Sequence, residues 1–169
     1  MNLFLVVLRR CALVFAFSGA VVALLTGALT VASIVGRSGW RSPIPGDVEL
    51  TQFGIALAIS LSLPWCQLRG ANIIVDFFTQ KLPPRRLQWL DGIGALLLAA
   101  MCALLAWRSA VGAVAVREAF ETSMILSLPM WWVYASLAPG LALAALVGLV
   151  QALAHFAGRP LDTGAREAA

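Results

Sequence analysis

The sequence is poor in charge, in cysteine and in histidine. Of its 169 residues, 12% are charged, three are cysteine and one is histidine. Cys11, Cys66 and Cys102 are far apart with no paired spacing, and His155 has neither a cysteine nor a second histidine near it. Zinc and haem sites need such residues at short, characteristic spacings. We therefore expect no metal site and no cofactor.

The sequence is instead rich in long hydrophobic stretches. Hydrophobic residues make up 61% of it, against about 45–50% in soluble domains. Uncharged windows cover residues 11–36, 50–68, 92–107 and 122–158. A bilayer core about 30 Å thick takes about 20 helical residues, and lipid selects helices because they bond their own backbone. We predict an all-α integral membrane protein, a single membrane domain (1–169) with four transmembrane helices at about 11–35, 49–68, 84–112 and 129–152.

Two of these windows need an explanation. The first is longer than the apolar region of about 7–15 residues in a cleaved signal peptide, so we expect a retained helix. The third is short, and its helix crosses only if Arg108 reaches the headgroups. The alternative is an ion pair of Arg108 with Glu118 or Glu121. We expect the third helix to be irregular around Arg108.

Basic residues are distributed unequally between the two predicted sides of the membrane. The N-terminus, the second connection and the C-terminus carry Arg9, Arg10, Arg69, Lys81, Arg85, Arg86, Arg159 and Arg166. The opposite side carries Arg37, Arg41, Arg108 and Arg117. Acidic residues divide evenly, so the whole formal charge of +4 falls on the first side. Because cytoplasmic loops are enriched in lysine and arginine, we predict that both termini are cytoplasmic and that no nucleic acid is bound.

The second connection has an amphipathic pattern. Asn72, Asp76 and Gln80 recur every four residues, with apolar residues on the other side. At about twelve residues the segment is too short to span, so we predict a short interfacial helix over about 71–82. We place Arg69, Asp76, Arg85 and Arg86 at the cytoplasmic rim, near the lipid headgroups. Arg69 is a candidate partner of Asp76, with Lys81 and lipid as competitors.

The fourth helix combines an aromatic belt with a strip of small residues. Trp131, Trp132 and Tyr134 suit the external interface. The strip, which we predict packs closely on another helix and on a second subunit, consists of Gly140, Ala144, Gly148 and Ala152. Chance is the alternative, because alanine and glycine are abundant in this sequence.

Signatures of catalysis and of autonomous transport are missing from the sequence. Gly92-Ile93-Gly94 lies in an apolar stretch and does not match a phosphate-binding loop. Serine, histidine and acidic residues are predicted on opposite sides of the membrane, so no catalytic triad assembles. Acidic residues fall at or outside the predicted helix ends, which disfavours a solitary proton-driven pump. We predict that the protein is not an enzyme and has no catalytic residues.

Two stretches of the sequence form recognisable motifs. One is Arg69-Gly70-Ala71-Asn72-Ile73-Ile74-Val75-Asp76, followed by Leu82-Pro83 and a basic pair. The other is Leu128-Pro129-Met130-Trp131-Trp132-Val133-Tyr134, which leads to Pro139-Gly140. Both resemble the small permease (DctQ-type) subunit of tripartite ATP-independent periplasmic, or TRAP, transporters. The sequence has Asn72 where the family usually has histidine. The likeness in length and in four-helix layout extends over nearly the whole chain.

The resemblance implies a subunit of the bacterial inner membrane. Its partners would be a large (M-type) permease subunit, a periplasmic substrate-binding protein and membrane lipids. The small subunit would brace the permease and help dock the binding protein while a sodium or proton gradient drives uptake of an organic acid. We expect docking at residues 36–48 and 110–128, through Arg37, Arg41, Glu118 and Glu121. The alternative is a self-contained homo-oligomeric carrier or exporter.

Overall fold

The computed structural model describes residues 3–40, 44–69 and 84–158. They form four α-helices: α1 (Leu3–Trp40), α2 (Asp47–Leu68), α3 (Pro84–Glu118) and α4 (Trp131–Phe156). Each helix is long and apolar enough to cross a membrane. The prediction of an all-α chain with four long apolar helices is confirmed.

Three of the helices extend beyond the uncharged windows that predicted them. α1 begins at Leu3 and runs through Arg9 and Arg10, and α3 continues to Glu118. Charges limited the predicted spans, whereas a helical backbone continues past the hydrocarbon into the headgroup region. α3 is one uninterrupted α-helix, so the expected irregularity around Arg108 is wrong. Arginine is a good helix former, and its side chain is exposed here, so nothing forces a break.

Several predictions concern residues that lie outside the described ranges. The interfacial helix at 71–82, with Asp76, falls between α2 and α3 in the part of the chain that is not described. The cytoplasmic location of the termini also stays a prediction.

The helices form a row rather than a closed bundle. α1 packs on α2, α2 on α4, and α4 on α3, giving the spatial order α1, α2, α4, α3. α1 touches α4 only marginally, and within the described ranges α3 meets neither α1 nor α2. Within an apolar 18-residue stretch of each helix, only 11–22% of the residues are buried. The row therefore has two broad apolar faces for lipid or for membrane partners.

Close approach between α1 and α2 depends on small residues. A Cβ added to Gly54 would overlap the Thr26 side chain, and one added to Gly19 would lie 2.7 Å from the Ser62 hydroxyl oxygen. The hydroxyls of Thr30 and Thr51 are 3.1 Å apart across the same interface. Small side chains let the backbones approach, and the hydroxyl contact adds an interhelical hydrogen bond.

Candidate functional site

The α1–α2 and α3–α4 connections meet at one end of the row, which we call the loop end. There Asp47, the first residue of α2, accepts a hydrogen bond from the Ser33 hydroxyl of α1. Arg37 of α1 lies 3.2 Å from the same carboxylate, and the Val48 amide donates to it at 2.8 Å. Ser33 is only 1% exposed. Asp47 therefore ties α1 to α2 through one buried and one exposed partner.

This arrangement assigns a structural contact to Arg37, which the sequence placed at a docking surface. Its side chain is 63% exposed but is paired with Asp47 within its own chain. Within the described ranges, no other pair of oppositely charged side chains lies within 4.0 Å of each other. Arg108 accordingly forms no ion pair with Glu118 or Glu121 there, so that alternative for Arg108 is not realised.

A second acid of α2, Glu49, holds the α3–α4 loop (residues 119–130). Its carboxylate accepts the amide hydrogens of Ile125, at 2.9 Å, and of Leu126, at 3.2 Å. Within the loop the Ser123 amide donates to the Leu128 carbonyl at 2.9 Å. The Leu128 amide donates to the Ser123 hydroxyl at 3.2 Å. The loop is thus closed on itself and fastened to the first turn of α2.

Backbone geometry shows how tightly this loop is constrained. Phe120 and Ser127 both have φ of 52°, in the left-handed region that non-glycine residues rarely adopt. Gly46, with φ of 75°, lies beneath Leu126, and a Cβ there would overlap the leucine side chain. Glycine is needed at 46 for both its conformation and its contact.

The remaining docking candidates lie at the same end. Glu118, the last residue of α3, and Glu121, in the loop, are both exposed. The Arg117 guanidinium, in the last turn of α3, lies 5.2 Å from the centre of the Trp131 ring of α4, and the Trp131 and Trp132 ring centres are 4.8 Å apart. Arg41 lies outside the described residues. The structure thus brings Arg37, Glu118 and Glu121 to one end of the row, and docking there stays a prediction.

The small-residue strip of α4 lies inside the chain. Gly140, Ala144, Gly148 and Ala152 are all buried. A Cβ on Gly140 would lie 2.4 Å from the Ser60 carbonyl oxygen of α2, and one on Gly148 would lie 3.1 Å from the Ala99 Cβ of α3. The strip does receive other helices, but they belong to the same chain. We therefore correct its assignment: α2 and α3 occupy the surface expected to pack on a second subunit.

A proline shapes the contact at Gly140. Pro64 inside α2 has no amide hydrogen, so the carbonyl of Ser60, four residues earlier, lacks its usual helical partner. That carbonyl faces Gly140. The Ser60 hydroxyl also donates to the Leu137 carbonyl of α4 at 2.8 Å. Pro64 thus leaves a polar group of α2 against α4, and glycine at 140 gives it room.

Sequence reasoning missed a pair of buried glutamines that joins α2 and α4 near the other end of the row. The side-chain amide of Gln67 donates to the side-chain oxygen of Gln151 at 2.9 Å. The side-chain amide of Gln151 donates in turn to the backbone carbonyl of Gln67 at 2.8 Å. Gln67 and Gln151 are only 4% and 7% exposed. The available signal was an amide side chain inside each of two apolar helices, since such groups bond across helices in lipid.

Of the predicted rim residues, two can be described. The Arg69 guanidinium lies 5.1 Å from the centre of the Trp65 ring, and Arg86 is exposed in the first turn of α3. Asp76 and the Arg85 side chain fall outside the described part of the chain. The pairing of Arg69 with Asp76 stays a prediction.

The contacts described above join helices and loops of the chain to one another. Within the described ranges no three histidine, cysteine or acidic residues come together in a way that could hold a metal ion. The acids that can be placed are Asp47, Glu49, Asp91, Glu118 and Glu121. Asp47 and Glu49 lie in the first turn of α2, Asp91 lies about two turns into α3, and Glu118 and Glu121 lie at and just beyond the end of α3. These groups hold helices and loops together or face outward at the ends of the row.

The chain matches the model of a known family. The model of the family described as tripartite ATP-independent periplasmic transporters, DctQ component, matches residues 26–158. That range contains the last part of α1 (residues 26–40), all of α2, α3 and α4, the α3–α4 loop and both glutamines of the buried pair. Comparisons with curated proteins and with solved structures gave no match.

Proposed function

Because the chain belongs to the DctQ family, the small membrane component of tripartite ATP-independent periplasmic transporters, we propose that it braces the large permease subunit. We further propose that it helps dock a periplasmic substrate-binding protein during ion-gradient-driven uptake of an organic acid. The family match over residues 26–158 is the observation that carries this proposal. The bacterial inner membrane, with both termini in the cytoplasm, is the location that fits it.

The open row of helices supports a bracing role. A closed bundle would cover its helices from several sides, whereas here the end helices, α1 and α3, each pack mainly on one neighbour. Large apolar side chains remain uncovered along both, such as Phe17 at 74% and Trp107 at 69% exposure. Permanent interfaces are large and apolar. Such a row offers a long apolar wall to a larger membrane protein.

The loop end supports a docking role. Two exposed carboxylates lie there, Glu118 at the end of α3 and Glu121 in the loop that Glu49 fastens to α2. Charges at the rim of an interface guide encounter and orientation more than they add affinity. A soluble protein that binds and leaves in each transport cycle suits such a surface. Arg37 is less available for docking, because it forms an ion pair with Asp47.

Reconstitution into proteoliposomes tests this assignment against a self-contained carrier. The purified chain alone, under a sodium or a proton gradient, is expected to take up no organic acid. Uptake is expected once the large permease and the binding protein are added, and it is expected to fall when this chain alone is omitted. Uptake by the chain without partners would contradict an accessory role. Equal uptake with and without the chain would contradict it too.

A further inference from the structure

The α3–α4 loop exposes large apolar side chains. Met124 is 99% exposed, Phe120 89% and Ile125 60%. The sequence carries no charge between Glu121 and Arg159. Loops in contact with water are ordinarily polar, and a cluster of exposed apolar side chains marks an interaction site. The apolar loop tip, which we define as Phe120, Met124 and Ile125, needs a surface that covers it.

The exposure of this tip is built into the loop. The amides of Ile125 and Leu126 donate to Glu49, and that of Met130 donates to the Glu121 carbonyl at 3.1 Å. A loop with amides bonded in this way enters an apolar environment at a lower cost than one with free amides, since unpaired polar groups in lipid are expensive. The tip is therefore a preformed apolar projection.

The helices fix the level of the tip relative to the membrane. α2 has 22 residues, which is about 33 Å at 1.5 Å per residue and close to a hydrocarbon core of about 30 Å. Glu49 lies in the first turn of that helix, so the backbone it holds at Ile125 and Leu126 lies near the edge of the core. Trp132, 64% exposed, lies in the first turn of α4, just after the loop. Tryptophan in this position is typical of the membrane interface.

We propose that the apolar loop tip inserts into the lipid leaflet at the loop end of the row, at the boundary between headgroups and acyl chains. The tip continues the lipid-facing surface of the helices and lies at their interfacial level. A transiently docking soluble protein would be met better by charge, which residues 122–130 lack. This inference goes beyond the proposed function, because it requires lipid and no protein partner. It leaves Glu118 and Glu121 free for docking.

Spin labelling of Met124 tests the insertion directly. The full chain, with Cys11, Cys66 and Cys102 replaced by alanine, carries Met124→Cys with a nitroxide label. It is reconstituted alone in nanodiscs of phosphatidylcholine and phosphatidylglycerol. Power saturation then compares collisions with oxygen, which concentrates in lipid, and with a water-soluble nickel chelate. We expect high oxygen and low nickel accessibility at residue 124.

Two labelled positions calibrate the measurement. Leu24→Cys, at a residue 72% exposed within α1, gives the lipid reference. Gly39→Cys, at an exposed position with no atom within 4 Å of an added Cβ, gives the aqueous reference at the loop end. Nickel accessibility at residue 124 as high as at residue 39 would overturn insertion. Shielding from both reagents would also overturn it, because it would show a protein contact in place of lipid.

A second variant tests whether Glu49 positions the tip. Glu49→Gln weakens the acceptor of the Ile125 and Leu126 amides. In that background the label at residue 124 is expected to lose its shielding from nickel, while helix content by circular dichroism is kept. An unchanged lipid signature in Glu49→Gln would overturn the positioning role of Glu49.

Discussion

At Gly140 of α4 a single missing side chain sets the distance between two helices. An added Cβ would lie 2.4 Å from the Ser60 carbonyl oxygen, a backbone atom that cannot turn away. Gly140→Ala should therefore push α2 and α4 apart and lower the free energy of unfolding by about 1–3 kcal/mol. Titration with a denaturing detergent, followed by circular dichroism, measures this loss.

Gly27→Ala is the matched control for that experiment. Gly27 also lies inside a helix, but a Cβ there would have no atom within 4 Å. Alanine reduces the conformational freedom of the unfolded chain, and at residue 27 it causes no clash in the folded one. The change should therefore be neutral or raise the free energy of unfolding by about 0.4–1 kcal/mol. Equal effects of the two substitutions would contradict the close packing described for Gly140.

The buried glutamine pair makes a second prediction at single residues. Gln151→Leu removes both hydrogen bonds that join its side chain to Gln67. Hydrogen bonds between helices in lipid contribute about 0.6 kcal/mol on average and up to about 1.7 kcal/mol, so we expect a loss in that range. Leu153 of the same helix is 60% exposed, so Leu153→Val should change the stability little. Stability retained in Gln151→Leu would show that the pair contributes nothing to the α2–α4 contact.

At the scale of helices, the α1–α2 hairpin depends on Asp47 more than on its ion pair. Asp47 accepts from Ser33, from Arg37 and from the Val48 amide, and Ser33 is buried whereas Arg37 is exposed. Exposed ion pairs contribute little, and a buried hydroxyl that loses its partner costs more. Asp47→Ala should lower the thermal midpoint of the purified protein further than Arg37→Ala does. A larger loss in Arg37→Ala would reverse this order of importance.

Individual helices were largely predictable from the sequence, whereas their partners were not. Uncharged length located all four helices, and the predicted end of the second coincides with the end of α2 at Leu68. The spacing of Gly140 and Gly148 indicated close packing, yet spacing does not tell which helix comes close. The Asp47–Arg37 and Glu49–Ile125 contacts join residues that no local pattern connects. They depend on how the loops fold back over the helix ends.

The order of the helices in the whole molecule was also beyond the sequence. In water an apolar stripe shows which face of a helix is buried, but in lipid the outer face is apolar as well. The sequence therefore predicted four spans without showing that α4 lies between α2 and α3. The order of the helices depends on small residues and a few polar contacts. Which residues these contacts join can be identified only once the positions of the helices are known.

Docking at the loop end is a prediction about the assembled transporter. Glu118→Lys combined with Glu121→Lys should raise the concentration of binding protein needed for half-maximal uptake, because rim charges control encounter. The maximal rate should be kept. Glu118→Gln with Glu121→Gln is the matched control and should have a smaller effect. Arg37 is left unchanged, since its reversal would also disturb the hairpin. Uptake that is the same in the reversed and native proteins would reject this docking surface.

The proposed role requires that the chain be part of a larger membrane complex, and purification from the native host tests that requirement. The tagged full chain is extracted in a mild, lipid-preserving detergent, and the proteins that remain bound through size-exclusion chromatography are identified by mass spectrometry. We expect a stable complex with a large multi-spanning permease of the TRAP type. Recovery of the folded chain alone, or only as copies of itself, would contradict it.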